Sequence, residues 1–358
     1  MNFKAEDLFK KAVQLDASDI HLTCGESPVY RVDGALQVYK SFDTLTDSAM
    51  REIIFGLTTS EQKELLLINK EIDFSISSEN VARFRVNAFF QKGTLAISLR
   101  RIPSKIPSLT DLSLPAILTD FCRLPQGLVL VTGPSGQGKS TTLAVMIDYI
   151  NKTRAERIIT IEDPIEYVFT NDKSIIEQRE MHTDTLSWEV ALRSSLRQDP
   201  NVLLVGEMRD PETIASAVTI AETGHLVFAT LHTNSSAQAV DRIVDAFPEK
   251  QQNQIRVQLS MILEGVLSQR LIPMVSGGRT PACEVLLATP AVRNLIREGK
   301  TYQIDNIIAT SSDFGMLTLE RSLADLVIKG KVSVDEAKKH TPNPADLVRI
   351  LSKNYAGV

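Results

Sequence analysis

Leu128-Val-Leu-Val-Thr132 runs into Gly133-Pro-Ser-Gly-Gln-Gly-Lys-Ser140, and the apolar Thr141-Thr-Leu-Ala-Val-Met-Ile-Asp-Tyr-Ile150 follows. A strand-length apolar run, a loop of the form G-x-x-x-x-G-K-[ST] and a helix, in that order, predict a cradle for a polyphosphate. Gly133, Gly136 and Gly138 let the backbone bend around the phosphates, with Pro134, Ser135 and Gln137 completing the loop. The loop N–H groups and the positive end of the following helix both favour an anion. In such a loop Lys139 holds the β- and γ-phosphates, the Ser140 hydroxyl binds Mg2+, and the Thr141 N–H reaches the α-phosphate. A polyphosphate with Mg2+ is therefore the expected ligand. A purely structural glycine turn is the alternative, but it needs neither the Lys-Ser ending nor the flanking strand and helix.

Outward from this loop, Arg157–Ile161, Val202–Gly206 and Leu226–Thr230 are also short, apolar and rich in β-branched residues. Helical segments separate most of them, which predicts an α/β fold with a parallel sheet covered on both faces. Ligands of such sheets sit beyond the carboxyl ends of the strands. Glu207 follows Asn201-Val-Leu-Leu-Val-Gly206, where a carboxylate holds Mg2+ directly or through water, or orients the attacking water. A strand-end glutamate facing solvent is the plainer reading. Ile161-Glu-Asp-Pro-Ile-Glu166 offers Glu162 and Glu166 as general base and water positioner, against a solvated acidic turn. His225 precedes the fourth strand and His232 follows it; either is a γ-phosphate sensor or a satisfied structural histidine. Arg193, Arg197 and Arg209 flank the acidic strand, and Trp188 reads as packing. After Ser235 the chain reads as all-helical, with Ile255, Leu259, Ile262 and Val266 forming the stripe of one long helix.

Toward the amino terminus, residues 1–101 read as a small α+β domain. Phe3, Leu8, Phe9, Ala12, Val13 and Leu15 recur at helical spacing, and a hairpin turns at Asp33-Gly34. Phe84, Val86 and Ala88 alternate with Arg83, Arg85 and Asn87, and after Lys92-Gly93 Leu95, Ile97 and Leu99 alternate with polar residues. One dry face and one arginine-bearing face follow, with Arg83, Arg85, Arg100 and Arg101 expected together. They read either as a solvated face or as arginines supplied to a neighbouring subunit's triphosphate. The proline-bearing stretch 102–108 reads as a linker, 109–234 as the nucleotide-binding core and 235–358 as its mostly helical continuation.

Composition excludes other classes. Of 358 residues 43% are hydrophobic and 23% charged, which rules out collagen-like, coiled-coil and broadly disordered chains. A formal net charge of −5 supplies no global positive field for nucleic acid or anionic lipid. Cys24, Cys122 and Cys283 are scattered, which fits neither a disulfide framework nor a zinc site. No apolar run approaches a membrane span, so a cytoplasmic protein without membrane insertion is expected.

The ordered set of motifs resembles a known family. It comprises G-P-S-G-Q-G-K-S-T-T from Gly133, T-I-E-D-P-I-E-Y from Thr160, L-L-V-G-E-M-R-D from Leu203 and A-E-T-G-H-L-V-F-A-T-L-H-T-N from Ala221. These are similar to the secretion ATPase superfamily, and more narrowly to its type IV pilus retraction subgroup. A-S-D-I-H-L from Ala17, R-F-R-V-N-A-F from Arg83 and A-V-R-N-L-I-R-E from Ala291 resemble that subgroup too. The resemblance implies a PAS-like first domain, a RecA-like ATPase domain, a homohexameric ring and docking to an inner-membrane pilus platform protein, peripheral to that membrane. It implies Glu166 as catalytic glutamate supported by Glu162, Glu207 as the Walker B acid, and His225 and His232 as a histidine box. Arg85 and Arg100 match arginines presented across a subunit interface, and Arg293 and Glu298 a helix associated with retraction. The cysteines do not form the four-cysteine insertion of assembly and type II secretion ATPases. Pro342-Asn-Pro-Ala-Asp-Leu347 resembles the accessory retraction paralogues, so an accessory motor, a partner of such a paralogue or a nucleotide-dependent scaffold stays open. Gln137 departs from the family, which carries a smaller residue there.

Overall fold

A computed structural model of the chain describes residues 4–32, 34–78, 81–103 and 105–355. Two compact units emerge: one up to Lys105 together with Glu166–Val168, the other comprising Ile106–Ile165 and the chain from Phe169.

The first unit runs α1 (Ala5–Gln14), β1 (Asp19–Thr23), β2 (Val29–Val32), β3 (Ala35–Val38), α2 (Asp47–Leu57), α3 (Ser60–Asn69), β4 (Glu71–Ser78), β5 (Ala82–Gln91) and β6 (Thr94–Ile102). Thr46 and Thr59 cap α2 and α3 by accepting from Ala49 N and Gln62 N. The strands form an antiparallel sheet in the order β3-β2-β1-β6-β5-β4. Leu8, Phe9, Met50, Ile54 and Leu66 of the helices bury the dry face formed by Ile20, Leu22, Phe84, Val86, Ala88, Ile97 and Leu99. Positive φ at Lys92 and Gly93 turns the β5–β6 hairpin. Phe3 and the turn residue Asp33 lie outside the described residues. One strand was not anticipated, and one expectation needs correction. β4 is an additional strand, its Ile72, Phe74 and Ile76 alternating with polar residues. Arg101 does not join the other arginines: the register sets it opposite Phe84, whereas Arg85 stands opposite Arg100, and Arg101 pairs instead with Asp16.

The second unit continues with α4 (Ile117–Arg123), β7 (Gly127–Thr132), α5 (Lys139–Thr153), β8 (Arg157–Glu162), β9 (Ile175–Glu180), α6 (Trp188–Ser195), β10 (Val202–Val205), α7 (Pro211–Glu222), β11 (Leu226–Leu231), α8 (Ser236–Asp245) and α9 (Glu249–Ile262). β12 (Leu263–Pro273), β13 (Arg279–Leu287), α10 (Pro290–Glu298), α11 (Ile304–Thr310), α12 (Leu319–Ile328), α13 (Val334–His340) and α14 (Pro344–Tyr355) complete it. The sheet order is β13-β12-β7-β11-β10-β8-β9. All neighbours are parallel except the edge pair β12–β13. Every residue of β7, β10 and β11 is buried, as expected where helices cover both faces. Leu143, Ile147 and Ile150 of α5 pack on one face with Val129, Val131 and Ile158, while Ile214, Val218, Val240 and Leu259 cover the other with Leu128, Leu130 and Ile159.

The region after Ser235 is not all-helical. The apolar stripe of α9 stops at Ile262, and Val266 belongs to β12, which pairs with β7 from Leu263 onward. Gly265 marks the change: a Cβ there would lie 2.2 Å from the Phe121 ring, so only glycine fits this close crossing. The strands β12 and β13 extend the core sheet into the part expected to be helical, and α12–α14 pack on their Ile272 and Ala282.

Candidate active site

The loop Gly133–Ser140 leaves the carboxyl end of β7 between β11 and β12, a crevice of the kind where open α/β sheets bind ligands. Gly133, Gly136 and Gly138 have φ of 146°, 74° and 80°, the region that favours glycine. A Cβ on Gly133 would lie 2.4 Å from the Gln269 carbonyl oxygen, so β12 presses directly on the loop. Gly138 is the N-cap of α5 and brings no side-chain acceptor. The positive end of α5 is therefore aimed into the loop, with Ser140 and Thr141 in its first turn.

Lys139 is 7% exposed and curls back over the loop, donating to the carbonyls of Gly133 (2.7 Å) and Pro134 (3.0 Å). Its Nζ also lies 3.4 Å from Nδ1 of His232, and Ser135 Oγ lies 3.5 Å from the same nitrogen. An ammonium only donates, so Nδ1 accepts and the ring proton sits on Nε2. Nε2 then donates to Glu207 Oε1 at 3.0 Å, and Arg209 donates to Glu207 Oε2 at 2.7 Å. The loop lysine is thus wired through one imidazole to the acid after β10. Burial opposes ionisation of Glu207, but Arg209 and His232 outweigh it and hold the carboxyl below the usual glutamate range.

The two histidines part company. β11 runs from Leu226 to Leu231, so His232 stands at its carboxyl end and His225 at the opposite edge of the sheet. Six residues of strand separate them by roughly 20 Å. His225 Nδ1 lies 3.0 Å from the Ile220 carbonyl and 3.1 Å from Thr223 Oγ1, a structural histidine at the α7–β11 turn. Its expected place beside the nucleotide is therefore corrected.

Glu162 ends β8 on the α5 side and is 8% exposed. Its Oε1 accepts from Thr160 Oγ1 at 2.7 Å and Gln178 Nε2 at 3.2 Å, so it is held in the sheet rather than presented to a ligand. Glu180 of β9 accepts from the Ile165 N–H at 3.0 Å and so ties down the turn that follows Glu162. Glu166 is exposed and belongs by its contacts, with Tyr167 and Val168, to the first unit. Arg85 and Arg100 belong there too. They face each other on β5 and β6, both exposed, at the centre of a cross-strand row Arg31–Asp19–Arg100–Arg85–Ser75. Like charges directly opposite repel, and Asp19 relieves this by accepting from Arg100 Nε at 2.9 Å.

Arg193 pairs with Glu189 along α6, Arg197 is exposed, and Trp188 packs at the rim of the core beside Gly206. Arg293 donates to the carbonyls of Ala288, Ser260 and Met261 and to Glu264, closing the carboxyl end of α9. Glu298 is exposed and pairs with Lys300. Sequence reasoning missed Gln269, Thr160 and Gln178. Gln269 was hidden because its strand read as helix.

Ser140 and Glu207 offer a hydroxyl and a carboxylate, the oxygen donors that suit Mg2+. Among the described residues no group of three or more His, Cys, Asp or Glu could hold a metal ion. Ser140 and Glu207 would hold such an ion together with phosphate oxygens and water, the usual pattern for Mg2+. No described helix is long and apolar enough to cross a membrane.

Residues 3–339 match the family model for the type II/IV secretion system proteins. The chain is 45% identical to the type IV pilus retraction ATPase PilT of Pseudomonas aeruginosa over 338 residues, covering 94% of this chain and 98% of the relative. It is 40% identical to the type IV pilus ATPase PilU of the same organism, covering 96% of this chain and 90% of that one. A crystal structure of the pilus retraction motor PilT with bound ADP superposes with a TM-score of 0.91 at 46% identity, covering 97% of this chain and all of that one. With a nucleotide loop at a parallel-sheet edge and likeness along nearly its whole length, the chain belongs to the type II/IV secretion system protein family.

Proposed function

We propose that this chain is a Mg2+-dependent ATPase that powers type IV pilus retraction, as a homohexameric ring in the cytoplasm against the inner-membrane platform protein of the pilus. The observation that carries the reading is the linked set Lys139–His232–Glu207 at the carboxyl ends of β7, β11 and β10. Loop N–H groups, the first turn of α5 and Lys139 bind and orient the triphosphate. Ser140 and Glu207, the latter with both oxygens bonded to Arg209 and His232, would hold Mg2+, which would supply positive charge for the β- and γ-phosphates. Water attacks the γ-phosphorus, its proton passes to Glu166, and the bond to the bridging oxygen of ADP breaks. Glu180, which accepts from the Ile165 N–H, holds the turn that carries Glu166, and Glu162 supports that turn only from the end of β8. Arg85 and Arg100 present positive charge to a neighbouring subunit's site. When Lys139 turns from the loop carbonyls to the γ-phosphate, His232 loses a donor at Nδ1 and transmits that change to Glu207.

Purified Lys139→Ala protein is expected to fold and to lose ATP hydrolysis; turnover at the wild-type rate would remove the site assignment. The second reading, an accessory retraction ATPase acting beside a paralogue, draws on the 40% likeness to PilU and on Pro342–Leu347. It differs in whether loss of this chain alone stops retraction.

A further inference from the structure

The loop is fastened to β12 by side chains that no part of the chemistry above employs. β7 ends at Thr132, where its ladder with β12 closes on the pair Ser268–Thr132, but β12 runs on to Pro273. Past that point no described strand pairs with β12 on its β7 side, and the Leu271 N–H would lack a ladder acceptor. Gln137 supplies it: its Oε1 accepts from Leu271 N at 2.6 Å. Gln269, 3% exposed, donates from Nε2 to the Gln137 carbonyl at 2.8 Å and accepts at Oε1 from Thr142 Oγ1 of α5 at 2.7 Å. The Gly133 backbone rests on the carbonyl of the same Gln269. The start of the phosphate cradle, Gln137 within it and the first turn of α5 after it are therefore all seated on β12. A serine at position 137 is too short to reach Leu271.

We propose that Gln137 and Gln269 are positioning residues for the nucleotide: by extending the β12 hydrogen-bond ladder onto the loop, they hold it in its phosphate-receiving shape before the ligand arrives. The inference rests on the nucleotide-binding reading of the loop and deepens it. Binding to a cradle already ordered loses less conformational freedom. Removing one such bond weakens binding by about 3- to 10-fold, the range of a single net hydrogen bond.

The test uses the full chain. ADP affinity is measured by calorimetry for wild type, Lys139→Ala, Gln137→Met and Gln269→Met, and KM and kcat for ATP are measured alongside. Methionine keeps the length of glutamine and removes the amide. The expected result is ADP binding weakened by that factor in Gln137→Met and by at least as much in Gln269→Met, which removes two such bonds, with KM for ATP moving by more than kcat. Amide exchange adds a readout that lost packing would not produce: Leu271 exchanges faster in Gln137→Met and is protected again in Gln137→Glu, which keeps the acceptor. If Gln137→Met does not fold, Gln269→Met and the Gln137→Glu exchange still decide. ADP affinity within twofold of wild type in the methionine variants, while Lys139→Ala loses binding, overturns the proposal alone. Wild type that does not bind ADP, or Lys139→Ala that binds as wild type does, overturns the nucleotide reading and the proposal with it.

Discussion

Glu207→Gln is the substitution for which the structure predicts the most. Glu207 accepts two hydrogen bonds, from Arg209 at 2.7 Å and from His232 Nε2 at 3.0 Å. An amide of the same shape has one acceptor and one donating group. If its oxygen faces Arg209, its NH2 meets the Nε2–H of His232. The imidazole can then flip tautomer, but that turns Nδ1–H toward the Lys139 ammonium. If its oxygen faces His232, the NH2 meets the Arg209 guanidinium. Each arrangement leaves one donor against another where a charge-assisted bond stood. Such a bond is worth about 1.5–3 kcal/mol, so kcat/KM should fall by roughly 10- to 150-fold. Stability should fall much less, because Arg209 is 72% exposed and its ion pair is screened. The assay is steady-state phosphate release beside thermal melting. Because His232 is bonded to both Glu207 and Lys139, adding His232→Ala to Glu207→Gln should lower activity less than the single effects multiply to. The pH dependence has a defined sign. The folded-state pKa of Glu207 is depressed, so its contribution is present above the ordinary glutamate value, near ~4.3, and is lost as pH falls through the folded value. The stability gap between wild type and Glu207→Gln should therefore shrink on acidification. Wild-type kcat/KM in Glu207→Gln, or fully multiplicative effects in the double variant, would refute the linkage.

Three further outcomes follow from single contacts. Gly265→Ala places a Cβ 2.2 Å from the Phe121 ring; overpacking of this kind lowers stability by about 1–3 kcal/mol, and Phe121→Leu should recover part of the loss in a melting experiment. Arg293→Met leaves the carbonyls of Ser260 and Met261 without their guanidinium and should destabilise the fold by about 1–3 kcal/mol in denaturant melts; an unchanged midpoint would show that these bonds contribute nothing. Asp19→Asn removes the anion between Arg31 and Arg100, whose stabilisation is present above the aspartate range and lost as pH falls, so the first unit should melt earlier at neutral pH and no earlier in acid.

What was legible in the sequence was what local chemistry dictates. The loop at Gly133–Ser140 and the buried parallel strands announce themselves because a glycine pattern and apolar runs need no knowledge of partners. β12 did not, since Ile255, Leu259 and Ile262 sit at helical spacing and Val266 extends the pattern by coincidence. The break is Gly265, whose reason, the Phe121 ring, lies far away in sequence. β9 is an edge strand with charged residues and an Ile175 that is 57% exposed, so it carries no apolar signature. β4 was legible in the alternation of Ile72, Phe74 and Ile76 and was overlooked. His225 and His232 share a motif but stand at opposite ends of one strand, a distinction that only strand direction reveals. Gln137 was visible as a departure, while its purpose required β12 to be a strand.

The central claim, a motor for pilus retraction, is tested most directly by counting surface pili in a strain that lacks this chain and carries back either the wild type or Lys139→Ala. The account predicts excess pili that fail to retract, corrected by the wild type and not by Lys139→Ala. Loss of pili in the deletion strain would contradict it and point to assembly. Normal pilus numbers would leave retraction to another motor and this chain in the accessory role.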